Sequence, residues 1–194
     1  MTTTDIREVR GFTLIELLVV VAVIAIVSAI AVPSLRSSSE QMKLANASRE
    51  VERVLQTARM KSVRSDRVMR VRFNCPTAGE YRMVELLGTI KAPAANDADA
   101  AAATRCNATT YPFPDTNPEF FAVPNNDGPL KQLPTNVVFD TVETVDFWPN
   151  GTAHTVGASA PIAGDVTLSL INTKLASTYK KSITVNGLGK ITLQ

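Results

Sequence analysis

From Phe12 to Val32 the chain runs 21 residues with a single charge, FTLIELLVVVAVIAIVSAIAV. A stretch of that length and composition reads as a helix that spans lipid, since about 20 apolar residues are needed to cross a bilayer. The one charge is Glu16. A charged side chain at the centre of a bilayer costs about 2.5–3.5 kcal/mol on an insertion scale, so an acid near the end of such a run is expected to have a partner and a purpose. Two plain readings explain the stretch in part. A secretory signal would use Arg7 and Arg10 as its basic start, Leu17 to Val27 as its apolar region and Ala29-Ile30-Ala31 as its cleavage site, but it leaves Glu16 without a reason. A simple membrane anchor accounts for the length and not for the residues around Glu16. Arg7 and Arg10 place the N-terminus in the cytoplasm and everything after Pro33 outside it, a signal that Asp5 and Glu8 partly offset.

The residues Gly11-Phe12-Thr13-Leu14-Ile15-Glu16 resemble the class III signal of type IV pilins and type II secretion pseudopilins. The resemblance implies that a prepilin peptidase cuts after Gly11, that Phe12 becomes an N-methylated terminus, and that Glu16 meets the terminal ammonium of a neighbouring subunit as a filament assembles. Residues 1–11 are then a leader and 12–33 a transmembrane and assembly helix. Removal of 11 residues from 194 leaves 183, enough for one domain with a real core and not for two.

The net charge of +2 is too small to argue for a nucleic-acid partner, but it is unevenly spread. Arg36 to Arg72 holds ten Lys/Arg against four Asp/Glu, whereas Phe73 to Gln194 holds eight against eleven. The basic excess therefore belongs to one element, which suits a solvated helix face near anionic headgroups or an acidic neighbour. Cys75 and Cys106 are the only cysteines, and an even count in an exported chain is consistent with one disulfide. Closing a loop of about 32 residues would restrict the unfolded chain by about 3.7 kcal/mol in the entropy account. Two Cys and the single His154 fall short of a four-ligand zinc set, so no metal and no cofactor are expected.

Beyond the apolar run, Leu44, Ala47, Val51, Val54, Leu55, Ala58 and Ser62 recur at three- and four-residue steps. Lys43, Arg49, Glu50, Glu52, Arg53, Arg59 and Lys61 fill the remaining arc. This predicts a helix laid on a sheet, continuous through Pro33 and ending at about Val63, roughly 78 Å from Phe12 at 1.5 Å per residue. Strands are expected at Val68–Phe73, Tyr81–Leu87, Val137–Phe139, Val145–Trp148, Val166–Ile171, Ser182–Val185 and Lys190–Leu193, with turns at Asn150-Gly151 and Asn186-Gly187. One long helix followed by strands predicts an α+β fold with an antiparallel sheet, and the resemblance makes that head, residues 34–194, pilin-like. A loop-rich insert is expected at about 88–134, where Ala92 to Thr104 is mostly Ala, Asp and Asn and prolines crowd Tyr111 to Pro134. Phe113, Phe120 and Phe121 are expected to dock it on the sheet.

Ala58-Arg59, the stretch Phe147-Trp148-Pro149-Asn150-Gly151, Ile183-Thr184-Val185 and Gly187 with Gly189-Lys190-Ile191 look like the GspH/FimT group of minor pilins and pseudopilins. The resemblance implies a non-enzymatic subunit that primes or caps a type IV pilus or a type II secretion pseudopilus. It would work at the bacterial inner membrane with other pilins, the prepilin peptidase and assembly platform proteins. Some members bind DNA through a Gly-Arg-x-Arg motif. Here the matching residues are Gly189, Lys190, Ile191 and Thr192, and lysine lacks the bidentate guanidinium fork. The alternative reading is a DNA-uptake pilin that uses Arg64, Arg67, Arg70, Arg72 and Lys190. Catalysis is not expected, because a Ser-His-Asp triad would have to pass through His154, in a turn-like segment where an exposed side chain is expected.

Overall fold

A computed structural model of the chain describes residues 12–86, 105–109, 111, 113, 126–176 and 178–194. The leader with Gly11, the alanine-rich stretch and Phe120 and Phe121 lie outside the described residues. Helix α1 runs Leu14–Ser65, without a break at Pro33. Thr13 caps it: its Oγ1 accepts the backbone N–H of Glu16 at 3.2 Å, the first half of a Thr-x-x-Glu capping box. At the other end Asp66 takes a left-handed φ of 54° and the N–H of Arg67 donates to the carbonyl of Ser62 at 3.3 Å, a Schellman stop built without glycine.

The chain falls into two compact units, one ending at Ser39 and the other running from Glu40 to Gln194. In the first, every large apolar side chain from Phe12 to Leu35 is exposed, Leu14 at 81% and Ile30 at 74%. By length and composition this helix can cross a membrane.

The second unit holds the core. The strands are β1 Met69–Phe73, β2 Glu80–Glu85, β3 Lys131–Gln132, β4 Val137–Thr141, β5 Val145–Phe147, β6 Ala153–Thr155, β7 Asp165–Asn172, β8 Lys180–Asn186 and β9 Ile191–Leu193. They form two sheets, ordered β3-β2-β1-β5-β6 and β4-β7-β8-β9, and every pairing is antiparallel. The buried face of α1 is Leu44, Ala47, Ser48, Val51, Val54, Leu55, Ala58 and Ser62, the predicted stripe with Ser48 added. Ser48 is admitted because its hydroxyl donates to the Leu44 carbonyl at 2.8 Å and so is not buried unpaired. This face joins Met69 and Val71 of β1, Phe147 of β5, Leu168 and Leu170 of β7 and Ile183 and Val185 of β8 in one cluster. Both sheets thus share one core with the helix. At about 25 cal/mol per Å² of apolar surface, that shared burial is the main stabilising contribution.

Three expectations need correction. The turn-like segment around His154 is strand β6, and His154 is 2% exposed rather than solvated. Its ring stacks on Trp148 at 4.3 Å, and its nitrogens face the Thr152 hydroxyl at 2.8 Å and the Ala158 carbonyl at 3.3 Å. The last part of the expected insert is not loop: β3 pairs with β2, and Leu133 is buried. Phe113 is 52% exposed, so it does not dock as expected.

Candidate functional site

Two features of this chain stand out: the apolar first half of α1, and the cations of the second unit together with the side chains that tie α1 to the sheets. Glu16 occupies the first turn of α1, where the positive end of the helix dipole favours a carboxylate. Its backbone is engaged by Thr13, and the residue is exposed along with its apolar neighbours. The capping bond belongs to the Glu16 backbone and not to its carboxylate.

In the second unit, segments distant in sequence meet at Arg59. Its Nε donates to the Gly151 carbonyl and its Nη2 to the Leu188 carbonyl, each at 3.0 Å. One turn further on, the Ser62 hydroxyl lies 3.1 Å from the Trp148 carbonyl. The helix is thereby clipped to the β5–β6 turn and to the β8–β9 turn at once. The residues Ala58-Arg59, Phe147 to Gly151 and Gly187 to Ile191, scattered in the chain, belong to one place in the fold.

The five cations proposed for phosphate contact do not form one surface. Arg70 is 4% exposed, and its Nε and Nη2 donate to Asp146 Oδ1 and Oδ2 at 2.6 and 2.7 Å. The two residues face each other across β1 and β5, so the bidentate pair locks that register. Arg70 therefore drops out of any phosphate-binding set. Arg67 is partly buried, with Nε 3.6 Å from Glu85 Oε1. Arg72 is half-buried on β1 opposite Arg82. Arg64, in the last turn of α1, and Lys190, between β8 and β9, are exposed.

A second buried charge cluster was not foreseen. Cys75 and Cys106 form a disulfide, which fixes Arg105 beside β2. Arg105 Nη2 donates to the Glu85 carbonyl at 2.6 Å and to Asp127 Oδ1 at 2.7 Å. Asp127 Oδ1 also accepts the Glu85 N–H at 2.8 Å, while Glu85 Oε2 accepts both the N–H and the Nδ2 of Asn126. Arg82 Nε donates to the Gly128 carbonyl at 2.7 Å, and Lys61 of α1 reaches the Asn126 carbonyl at 2.9 Å. Burial pushes the Asp127 carboxyl up to about 6 against the pull of Arg105, and burial also lowers Lys61. Arg105 and Asp127 are 22 residues apart, so no local spacing could have announced the pair.

The family described as the prokaryotic N-terminal methylation motif matches residues 6–32. No curated protein matches the chain. Among solved structures, the chain is similar to the type IV minor pilin FimU of Pseudomonas aeruginosa, at 16% identity and a TM-score of 0.47, over 80% of this chain and 91% of that one. It is also similar to the minor pseudopilin EpsH from the Type 2 Secretion System of Vibrio cholerae, at 10% identity and a TM-score of 0.47, over 78% of this chain and 96% of that one. Residues 6–32 match a prokaryotic N-terminal methylation motif that leads into an exposed apolar helical segment, and in the unit from Glu40 onward two antiparallel sheets share one core with the Leu44–Ala58 face of α1.

Proposed function

We propose that the protein is a structural minor pilin or pseudopilin of the GspH/FimT kind. A prepilin peptidase cuts between Gly11 and Phe12, and the mature chain is held in the bacterial inner membrane with residues 40–194 outside the cytoplasm. It then enters a type IV pilus or a type II secretion pseudopilus with other pilins, through the assembly platform. The observation that carries this reading is the methylation motif at residues 6–32 joined to a helix whose large apolar side chains are exposed from Phe12 to Leu35. Such a surface must be covered, either by lipid or by the helices of other subunits. Passage from bilayer to helical bundle exchanges one apolar contact for another, so little is lost in leaving lipid. Glu16 then meets the new terminal ammonium of a neighbour, and its cost in hydrocarbon is offset in the bundle.

Mass analysis of the protein from its native envelope is expected to show N-methylated Phe12 as the first residue. An intact leader, or any other first residue, would overturn the proposal. Glu16→Ala is expected to remain membrane-inserted and to be depleted from sheared filaments or cross-linked assemblies, whereas normal incorporation would remove the role of Glu16. Exposure of Arg64 and Lys190 is what is left to support the DNA-uptake reading, and burial of Arg70 counts against its original five-residue form.

A further inference from the structure

Beside the Arg59 clip lies a cleft of about 390 Å³ between the C-terminal part of α1 and the β8–β9 turn. Seven residues line it, among them Arg59, Met60, Leu188, Lys190 and Ile191; two are cations and none is acidic. Its walls are set in advance. Asn186 Oδ1 accepts the N–H groups of Leu188 and Lys190 at 3.1 and 2.9 Å, which fixes the tip of the turn. Gly189 has φ of 72°, and a Cβ there would lie 2.3 Å from the Gly151 carbonyl and 2.6 Å from Arg59 Nε, so the turn and the guanidinium are packed without slack. Two large apolar side chains nevertheless stand in solvent at its rim, Leu188 at 76% and Met60 at 66% exposure.

We propose that this cleft docks an acidic peptide segment of a partner protein, with a carboxylate meeting Lys190 and the outer edge of Arg59 and a neighbouring apolar side chain resting on Met60 and Leu188. A rigid cleft loses little conformational freedom on binding, and cationic groups flanking apolar anchors favour a partner of opposite charge that also brings apolar surface. Nucleic acid fits less well. Affinity for duplex nucleic acid is dominated by cations that neutralise several backbone phosphates at once. Here two cations are present, enough for one carboxylate and too few for a run of phosphates, and the apolar rim of Met60 and Leu188 offers a phosphate backbone nothing. Such a partner is expected whatever the fate of residues 12–39.

The test uses the full chain in detergent micelles with its methionine methyl groups carbon-13 labelled, Met60 serving as reporter and buried Met69 and Met83 as controls for the fold. The probe is a capped hexapeptide alternating leucine and glutamate. It is expected to shift the Met60 signal saturably, while the same peptide with lysine in place of glutamate does not. Lys190→Glu and Leu188→Ser, both at exposed positions, are each expected to weaken binding by about tenfold with the Met69 and Met83 signals unmoved. No shift at Met60, an equal shift with the lysine peptide, or tighter binding of a duplex oligonucleotide at the same cleft would each overturn the proposal.

Discussion

Arg70 and Asp146 show how a single pair can decide between a surface and an interior. Their bidentate contact is 4% and 1% exposed, so neither charge has water to fall back on. Removing one partner of such a pair strands the other, a loss of about 3–5 kcal/mol, although the intact pair need not be worth that much against an apolar substitute. Arg70→Ala is therefore expected to lower unfolding stability by about that amount. Denaturant titration followed by the fluorescence of Trp148, the one tryptophan, would measure it. A double variant Arg70→Met with Asp146→Leu is expected to recover most of the loss; if it does not, the pair itself, and not the stranded charge, is what matters. At the other end of the chain Thr13 holds the start of α1 through the backbone of Glu16, which no side-chain change at Glu16 removes. Glu16→Gln and Glu16→Ala are thus expected to fail alike in incorporation assays if the charge is the agent. Normal incorporation of Glu16→Gln would shift the role to hydrogen bonding.

At the scale of elements, β2 is the strand on which most depends. It pairs with β1 and β3, and its Glu85 gathers Arg105 and residues 126–127 through backbone and carboxylate. Asp127 makes this arrangement sensitive to pH. Burial raises its carboxyl from 3.8 to about 6, so between those pH values the folded protein holds a proton that the unfolded chain has already released. Its contribution is then fully present below about pH 4 and is lost as pH rises through about 6, by up to about 3 kcal/mol. Glu40, Glu50 and Asp140 act in the opposite sense, since Lys43, Lys131 and Lys180 respectively hold their carboxyls below the ordinary value. Their contributions are present above their unfolded values and lost as pH falls. The isolating measurement is the difference between the chain and Asp127→Asn, whose stability profiles are expected to diverge between pH 4 and 7. Parallel profiles would mean that Asp127 does not titrate in that range.

For the whole molecule, the division at Ser39 and Glu40 separates two kinds of stability. Everything in the buried cluster lies from Leu44 onward, so residues 12–39 contribute exposed apolar surface and no core. A chain begun at Ser38 is expected to stay monomeric without detergent and to unfold at the same denaturant midpoint as the full chain, read by sedimentation and by Trp148 fluorescence. A lower midpoint would show that the first unit supports the second. The full chain without detergent is expected to associate, because an exposed apolar helix of this length must be covered.

What could be read in the residues alone was whatever a local stretch of chain carries. The stripe from Leu44 to Ser62 is legible because helix geometry returns a side chain to the same face every three or four positions; the 21-residue apolar run is legible by length and composition alone, and the Gly11 to Glu16 motif by resemblance to a known signal. Seven strands were legible to within a few residues, by alternation and by the turns between them. Strands β3 and β6 were not, because Lys131-Gln132 and Ala153-His154-Thr155 hold no run of large apolar side chains and form only against a partner strand. The same limit hid the burial of His154, which comes from Trp148 across a turn, and of Arg70, which is decided by Asp146 at a separation of 76 residues. It also hid the convergence of three segments on Arg59. Local period sets which face an element presents; only tertiary packing determines what covers that face, because that partner is chosen by the energy of the whole core rather than by any neighbour along the chain.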